Sequence, residues 1–380
     1  MARMALRRPI RAPLLLLLLT LIVLAQLAAP TARAAMELPE DPGPPLPPVQ
    51  VVEGRLLAGD TPLVVRGVNY LHPTGTEAGC PELHFGADAV CPWRPEVIEA
   101  DMARLQARGV NTVRVFLNYY VFGGAKAVRA DYDLTPALAH LDGLINSANR
   151  HGIYVLPVLL AKFPQDQLTA AGYEQAAELH VRPVVSHLAG RPGVLGLDLF
   201  NEPDIGSPID GHCWDWDNGD YPLCIELAKG RLEFLARLNA EVRALDPSHP
   251  LTIGAAFAKS YFRPIAAPSR LDELVDFYSF HYYDNDPFDS GRYAQHWYYG
   301  QGFPRDLERS LVELEALPGM KPVVITELGF PTGAGALRDE AALRADLQTA
   351  LATAEAAGAG LVLWPFQEPH EALLGELFMP

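Results

Sequence analysis

The stretch Leu199-Phe200-Asn201-Glu202-Pro203-Asp204 ends a mainly apolar run that begins at Val194. A short apolar run bounded by turn residues is typical of a buried strand. An amide and a carboxylate follow the run directly, and closed α/β barrels carry their chemistry at the carboxyl ends of their strands. The sequence therefore predicts a barrel strand with Asn201 and Glu202 at its functional end.

A second stretch far along the chain has the same design. It reads Val323-Val324-Ile325-Thr326-Glu327-Leu328-Gly329, an apolar run followed by one glutamate. Cleavage of a glycosidic bond uses one carboxylic acid on the leaving oxygen and one carboxylate on the anomeric carbon. We therefore expect Glu202 and Glu327 to form a catalytic pair that cleaves glycosidic bonds.

Apolar runs and helical patterns alternate over most of the 380 residues. Strands are predicted over 63–69, 110–118, 153–160, 194–200, 251–257, 274–280, 322–326 and 360–366. Helices are predicted over 96–108, 134–150, 165–188, 225–245, 307–317, 340–356 and 372–378. Eight such units favour an α/β fold of the (β/α)8 TIM barrel type, with a short N-terminal β-hairpin over 50–62 that closes its bottom. A doubly wound open sheet is the alternative, but residues 66–70 lack the glycine-rich turn that would support it.

The N-terminus has the three-part pattern of a secretory signal. Arginines precede an apolar run from Leu14 to Ala29, and Ala32-Arg33-Ala34 ends the segment. The run of 16 residues is shorter than the ~20 that span a bilayer, which disfavours an uncleaved anchor. We expect a signal peptide over 1–34, a proline-rich linker over 35–50 and one catalytic domain over 51–380. The protein is then secreted or periplasmic, without stable membrane insertion.

The charge balance restricts the partners of this chain. Five of the 30 basic residues and no acidic residue lie in 1–34, which leaves 25 basic and 46 acidic residues, a net charge of −21, on 35–380. Such a surface repels phosphate backbones, so we expect no nucleic acid partner. We expect a monomer that acts on a carbohydrate substrate.

The cysteines Cys80, Cys91, Cys213 and Cys224 suit an exported protein. Four cysteines allow three pairings, and the pairs 80–91 and 213–224, which each close a short loop, are preferred. A zinc site is the alternative, but neither C-x-x-C spacing nor a nearby H-x₃₋₅-H occurs.

The residues that end the predicted strands suit sugar chemistry. Arg114 and Tyr283 are expected to keep Glu327 ionised, whereas Glu202 has to remain protonated, with His281 nearby. Asn201 can donate to a sugar 2-hydroxyl, whose hydrogen bond strengthens in the transition state. The remaining candidates for substrate binding are Trp364, Asn69 and His72. These strand ends lack a metal-ligand set such as H-x-H, so no metal and no cofactor are expected.

Several of these motifs resemble those of clan A glycoside hydrolases, most closely family 5, the cellulase and β-mannanase family. They are Leu199-Phe200-Asn201-Glu202-Pro203, Phe280-His281-Tyr282-Tyr283, Ile325-Thr326-Glu327-Leu328-Gly329 and Leu363-Trp364. The resemblance covers residues 51–380 and implies that Glu202 is the acid/base and Glu327 the nucleophile of a retaining hydrolase of β-glucan or β-mannan. It places Arg114, Asn201, His281, Tyr283 and Trp364 in supporting positions. Residues 159–163 lack a histidine that the family commonly has near the third or fourth strand end.

Three other functions are alternatives to a retaining glycoside hydrolase that uses two carboxyl groups. A transglycosylase would use the same residues with a sugar hydroxyl in place of water. A non-catalytic carbohydrate-binding protein would not need both Glu202 and Glu327. A metal-dependent hydrolase would need clusters of histidine and aspartate at the strand ends.

Overall fold

The computed structural model describes residues 43–71, 85, 93–205, 222–262, 270–283, 299–330, 338–364 and 370–379. Its centre is a closed barrel of eight parallel strands, in the order β10-β11-β4-β5-β6-β7-β8-β9. The barrel strands are β4 (Arg66–Asn69), β5 (Thr112–Asn118), β6 (Tyr154–Ala161), β7 (Leu197–Asn201), β8 (Leu251–Ala255), β9 (Tyr278–Tyr283), β10 (Val323–Gly329) and β11 (Gly360–Leu363). The (β/α)8 TIM barrel predicted from the sequence is therefore confirmed.

Helices surround the barrel and bury one apolar side against it. They are α1 (Pro95–Gln106), α2 (Thr135–Arg150), α3 (Ala170–Ala176), α4 (Arg182–Leu188), α5 (Pro222–Leu245), α6 (Lys259–Phe262), α7 (Arg305–Glu315), α8 (Glu340–Ala356) and α9 (His370–Phe378). In α1, for example, Ile98, Met102 and Leu105 recur at helical spacing and are buried. Within the described ranges, no helix combines the length and apolar character needed to cross a bilayer.

The helix predicted over 165–188 is interrupted in the structure. A 3₁₀ turn (Gln165–Gln167) precedes α3, and a π-helical turn (Ala177–Val181) joins α3 to α4. Pro183 lies in the first turn of α4. Because proline has no N–H to continue the i→i−4 ladder, the helix widens just before it.

Two barrel strands are displaced from their predicted positions. Strand β9 begins at Tyr278 and extends to Tyr283, whereas residues 271–274 form a 3₁₀ turn rather than the start of the strand. Strand β10 continues to Gly329 instead of ending at Thr326. His281, Tyr283 and Glu327 therefore lie within the last residues of their strands and not after them. Their backbone is held by the hydrogen bonds of the barrel.

The predicted N-terminal hairpin is a small antiparallel sheet of three strands. These are β1 (Val49–Val52), β2 (Arg55–Ala58) and β3 (Thr61–Pro62). Val49 and Leu56 pack with residues at the amino ends of the barrel strands, among them Tyr154 and Phe277. The hydroxyl of Tyr154 also donates to the carbonyl of Pro47 at 2.9 Å. The sheet thus closes the bottom of the barrel, opposite the mouth.

Candidate active site

The guanidinium of Arg114, on β5, lies at the centre of the barrel mouth and is fully buried. Its Nη1 donates to Glu327 Oε1 at 2.6 Å and to Asn69 Oδ1 at 3.0 Å. Its Nη2 donates to Asn201 Oδ1 at 2.8 Å and to Asp198 Oδ2 at 2.9 Å, and its Nε donates to the same Asp198 oxygen at 3.0 Å. All five N–H donors of the side chain are therefore satisfied.

Burial would lower the pKa of Arg114, but Asp198 and Glu327 outweigh that effect and raise it. The residue is therefore a permanent positive charge between two carboxylates. It ties four strands together at the level where the chemistry is expected.

Glu327 accepts a hydrogen bond on each carboxylate oxygen. Oε1 accepts from Arg114, and Oε2 accepts from the hydroxyl of Tyr283 at 2.5 Å. Burial, followed by the charge of Glu327, raises the pKa of Tyr283 well above its ordinary value, so its hydroxyl remains a donor at neutral pH. A cation and a neutral donor thus compensate an ionised Glu327, which is 4% exposed.

Glu202 has a different environment. Burial raises its pKa above the ordinary value, although the charge of Arg114 opposes that shift. Its Oε1 lies 2.8 Å from Nδ1 of His281. Burial lowers the pKa of His281 to about 4, so this histidine is neutral at pH 7 and adds no positive charge that would ionise Glu202.

His281 lies between the two glutamates. Its Nε2 is 3.4 Å from Oε1 of Glu327. One ligand atom each of Glu202, His281 and Glu327 lies within 4.8 Å of the others. Such a set could ligate a cation, but Arg114 and Tyr283 already donate to both oxygens of Glu327. The site is arranged to hold and move a proton, with a neutral imidazole beside the acid.

Irregularities in β7 and β10 direct the two glutamates into the mouth. Asp198 pairs with Thr252 and Asn201 with Gly254, so β7 has an extra residue there. The ring of Phe200 contacts Phe234 of α5, outside the barrel. The bulge therefore allows both Asp198 and Asn201 to point inward, although strict alternation would place them on opposite faces.

The bulge in β10 falls just before the second glutamate. Ile325 pairs with Phe280, and Glu327 pairs with the next residue, His281. Thr326 is the extra residue, and its hydroxyl shares a 2.6 Å hydrogen bond with the hydroxyl of Ser279. Bulges of this kind are common next to active sites, where they redirect a side chain.

The backbone of Glu202 is also unusual, with φ of 50° in the left-handed region. Its N–H donates to the carbonyl of Gly254 at 2.7 Å, which holds this conformation. Left-handed non-glycine residues cost about 1–3 kcal/mol and are concentrated at functional sites. The strain here is at the residue expected to transfer the proton.

The other predicted site residues occupy distinct positions. Asn69 is fully buried and donates to the carbonyls of Thr326 and Leu363, at 2.8 and 3.1 Å, so it connects strands beneath the mouth. Asn201 is partly exposed, and since its Oδ1 accepts from Arg114, its Nδ2 is the group that can donate to a ligand. His72 lies outside the described residues.

Trp364 follows the end of β11 and forms an aromatic corner with Phe116. The two rings are 5.7 Å apart and meet edge to face at 89°. Phe116 in turn covers the guanidinium of Arg114, whose Cζ lies 4.8 Å from the ring centroid. Both rings are partly exposed, so they present an apolar wall beside Arg114.

Four further residues lie at or directly beside the site and were not predicted from the sequence: Asp198, Gly254, Phe116 and Asp204. An acid inside an otherwise apolar strand was a signal for Asp198, because unpaired buried charges are rare. Asp204 is buried, and its carboxylate accepts from the backbone N–H of Ala256 at 2.8 Å and from the hydroxyl of Ser260 at 2.5 Å. Burial raises the pKa of Asp204 to about 6. It joins the segment after Glu202 to the loop after β8.

Several solved structures with similar folds are described in their titles as β-mannanases or a β-mannosidase. The β-1,4-mannanase of the sea hare Aplysia kurodai matches with a TM-score of 0.58 and 15% identity, over 87% of this chain and 95% of that one. The β-1,4-D-mannanase of Cryptopygus antarcticus gives 0.60 and 16%, over 87% and 94%. An exo-β-1,4-mannosidase of Opitutaceae bacterium strain TAV5 gives 0.58 and 18%, over 86% of this chain and 57% of that one. At these identities the likeness shows the fold.

The sequence itself carries a broader assignment. No curated protein sequence matches it significantly. However, the sequence model of the family described as "Cellulase (glycosyl hydrolase family 5)" matches residues 74–368, which is most of the chain and includes both glutamates and Arg114. The chain therefore belongs to glycosyl hydrolase family 5, and it is a glycoside hydrolase by family.

Proposed function

We propose that this protein is a retaining β-glycosidase that cleaves β-mannan or β-glucan. The observation that supports this most strongly is the pair of glutamates with unequal surroundings. An oxygen of Glu202 lies within 4.8 Å of an oxygen of Glu327. Retaining enzymes have carboxyl groups about 5–5.5 Å apart, whereas inverting enzymes need about 6.5–9.5 Å to admit a water molecule.

The unequal surroundings favour one division of roles. Glu327 faces Arg114 and Tyr283, which favour the ionised form that attacks the anomeric carbon. Glu202, with its raised pKa and neutral histidine, keeps the proton for the leaving oxygen. After the covalent intermediate forms and the leaving group departs, Glu202 is ionised and takes a proton from the attacking water.

Sugar recognition follows from the groups around this pair. Asn201 Nδ2 is placed to donate to the 2-hydroxyl, and the Trp364–Phe116 corner offers an apolar surface to a pyranose ring. A cofactor has no part in this chemistry. Because the structural neighbours named above include mannanases, β-mannan is the first polymer to test, with β-glucan second.

The test is a panel of β-mannans, β-glucans, xylan and aryl glycosides, with the anomer of each new reducing end followed by NMR. We expect cleavage of a mannan or glucan with the β-anomer formed first. Initial α-product would contradict the retaining mechanism, and no cleavage of any member would contradict the proposed activity. Adding an acceptor sugar separates hydrolysis from transglycosylation, since only the latter yields longer products.

We also propose that the protein is exported and that cysteines 80–91 and 213–224 pair. The arginine-rich start and apolar run of residues 1–34 support export. The side chains of all four cysteines lie outside the described residues. N-terminal sequencing of exported protein should begin after Ala34, and intact signal would contradict cleavage. Four thiols that alkylate without reductant would contradict the disulfides.

A further inference from the structure

We propose that Asp198 is a positioning residue that acts as the counter-charge of Arg114. We further propose that the absence of a side chain at Gly254 leaves the space in which Arg114 and Asp198 pair. The role that we assign to Asp198 rests on the proposed function, because Arg114 acts through Glu327. Asp198 is fully buried in β7 and does not reach the open mouth. It therefore influences catalysis through Arg114 and not by contact with substrate.

The contacts of Asp198 fix both of its oxygens. Oδ2 accepts from Nε and Nη2 of Arg114 at 3.0 and 2.9 Å. Oδ1 accepts from the backbone N–H of Gly254 at 2.8 Å. Two donors from one guanidinium define its plane, so Asp198 sets the direction in which Nη1 of Arg114 points toward Glu327.

Gly254 lies where a side chain would separate these groups. A Cβ at this position would be 2.7 Å from Arg114 Nη2, 2.9 Å from Asp198 Oδ2 and 3.2 Å from His281 Nε2. The carbonyl of Gly254 also accepts the N–H of Glu202. The backbone of Gly254 therefore contacts Glu202, and its lack of a side chain leaves room for the Arg114–Asp198 pair.

Through Arg114, the charge of Asp198 is also expected to affect Glu202. Arg114 lowers the pKa of Glu202 against the effect of burial. Asp198 neutralises part of that positive field, so that Glu202 keeps its proton to higher pH. Within the described part of the chain, the charged and titratable groups around Asp198 and Glu202 are Arg114 on β5, His281 and Tyr283 on β9, Glu327 on β10, Tyr261 on α6 and Asp204 after β7.

The first test is Asp198→Asn, with kcat/KM measured across pH. We expect a loss of about 10²-fold, because a small displacement of a positioned charge has that effect. The alkaline limb should move about 1 pH unit lower, since Arg114 now favours ionised Glu202 more strongly. A profile that is scaled down but superimposable on the wild-type profile, or moved to higher pH, would overturn the proposal.

The second test keeps every charge and fills only the space that Gly254 leaves beside Arg114 and Asp198. Gly254→Ala should displace Arg114 from Glu327, which lowers kcat more than it changes KM. The control is Gly143→Ala on α2, where an added Cβ has no atom within 4 Å. A wild-type kcat in Gly254→Ala would overturn the proposal, and this variant decides the matter if Asp198→Asn does not fold.

A structural control and a direct titration separate the possible failures. Asp246→Asn removes another buried carboxylate, paired with His249 at the amino end of β8. It should lower Tm without moving either limb. Carboxyl ¹³C NMR, with Glu202 assigned through Glu202→Gln, should show Glu202 ionising at lower pH in Asp198→Asn. An unchanged titration of Glu202 in Asp198→Asn would refute the role of Asp198, whether or not the wild type cleaves a tested sugar. Failure of the wild type to cleave any tested sugar would refute only the proposed function.

Discussion

Glu202 and Glu327 share one barrel mouth but not one environment. Glu327 receives a charge-assisted bond from Arg114 and a hydrogen bond from Tyr283, and it is almost fully buried. Glu202 faces a neutral His281, and 26% of its side chain is exposed. In the proposed mechanism, one residue type therefore serves as the nucleophile on one strand and as the acid three strands away, because different side chains from other strands surround each carboxyl group.

Removal of either carboxylate should have the largest effect. Glu202→Ala and Glu327→Ala should each lower kcat by at least about 10³-fold on polymeric substrate, as removal of a principal catalytic group does. Circular dichroism and Tm should show that each variant folds. Glu308→Ala, on the exposed side of α7, is the control and should retain full activity. Near-wild-type rates in Glu327→Ala would refute the mechanism.

Replacing the cation on the Glu327 side should have the next largest effect. Arg114→Lys keeps the charge but cannot supply five N–H donors to Asp198, Asn69, Asn201 and Glu327. We expect kcat/KM to fall by about 10²–10³-fold, the effect of losing a preorganised donor. Most of this loss should fall on kcat, because Glu327 loses its 2.6 Å partner. A wild-type kcat in Arg114→Lys would show that Arg114 does not act on Glu327.

Removal of the second donor to Glu327, the hydroxyl of Tyr283, should lower kcat by a smaller factor. Tyr283→Phe deletes the hydroxyl at 2.5 Å from Oε2. A hydrogen bond to a charged group contributes about 1.5–3 kcal/mol, so kcat should fall by roughly 10–100-fold. Tyr154→Phe is the matched control, because that hydroxyl bonds to Pro47 at the closed end of the barrel. Equal losses in both variants would assign the effect to folding.

The smallest expected effect is that of a chelator. Glu202, His281 and Glu327 approach one another closely enough to ligate a cation. However, Arg114 and Tyr283 occupy both oxygens of Glu327, and the guanidinium repels a second positive charge. Steady-state rates should therefore be the same after dialysis against EDTA as before it. A loss that zinc or another divalent ion restores would contradict this interpretation.

The barrel was largely predictable from sequence because its strands are apolar on both faces and recur between helical patterns. The positions at the ends of β9 and β10 were less accurate. The segment from Tyr278 to Tyr283 is aromatic and polar. Its hydrophobicity pattern does not distinguish the last residues of a strand from the loop that follows. The bulge at Thr326 is likewise set by pairing with neighbouring strands, which the local sequence does not encode.

The site was predictable in its charges but not in its supports. Glu202, Glu327 and Arg114 stand out because ionisable groups at the ends of apolar strands need a reason to be there. Gly254 does not stand out, because its importance lies in atoms it lacks, and those matter only when Arg114, Asp198 and His281 are brought together from three other strands. Asn69 was predicted to bind substrate, and in the structure its polar atoms contact the backbone carbonyls of two strands and Arg114.

Chemical rescue of the two glutamate variants with azide tests the roles of Glu202 and Glu327 most directly. In Glu327→Ala, azide should replace the missing nucleophile and restore cleavage of an activated aryl β-glycoside, with the α-glycosyl azide as product. In Glu202→Ala, azide should instead attack the glycosyl-enzyme intermediate and give the β-glycosyl azide. The reverse pattern, or β-product from Glu327→Ala, would contradict the division of roles between the two carboxylates.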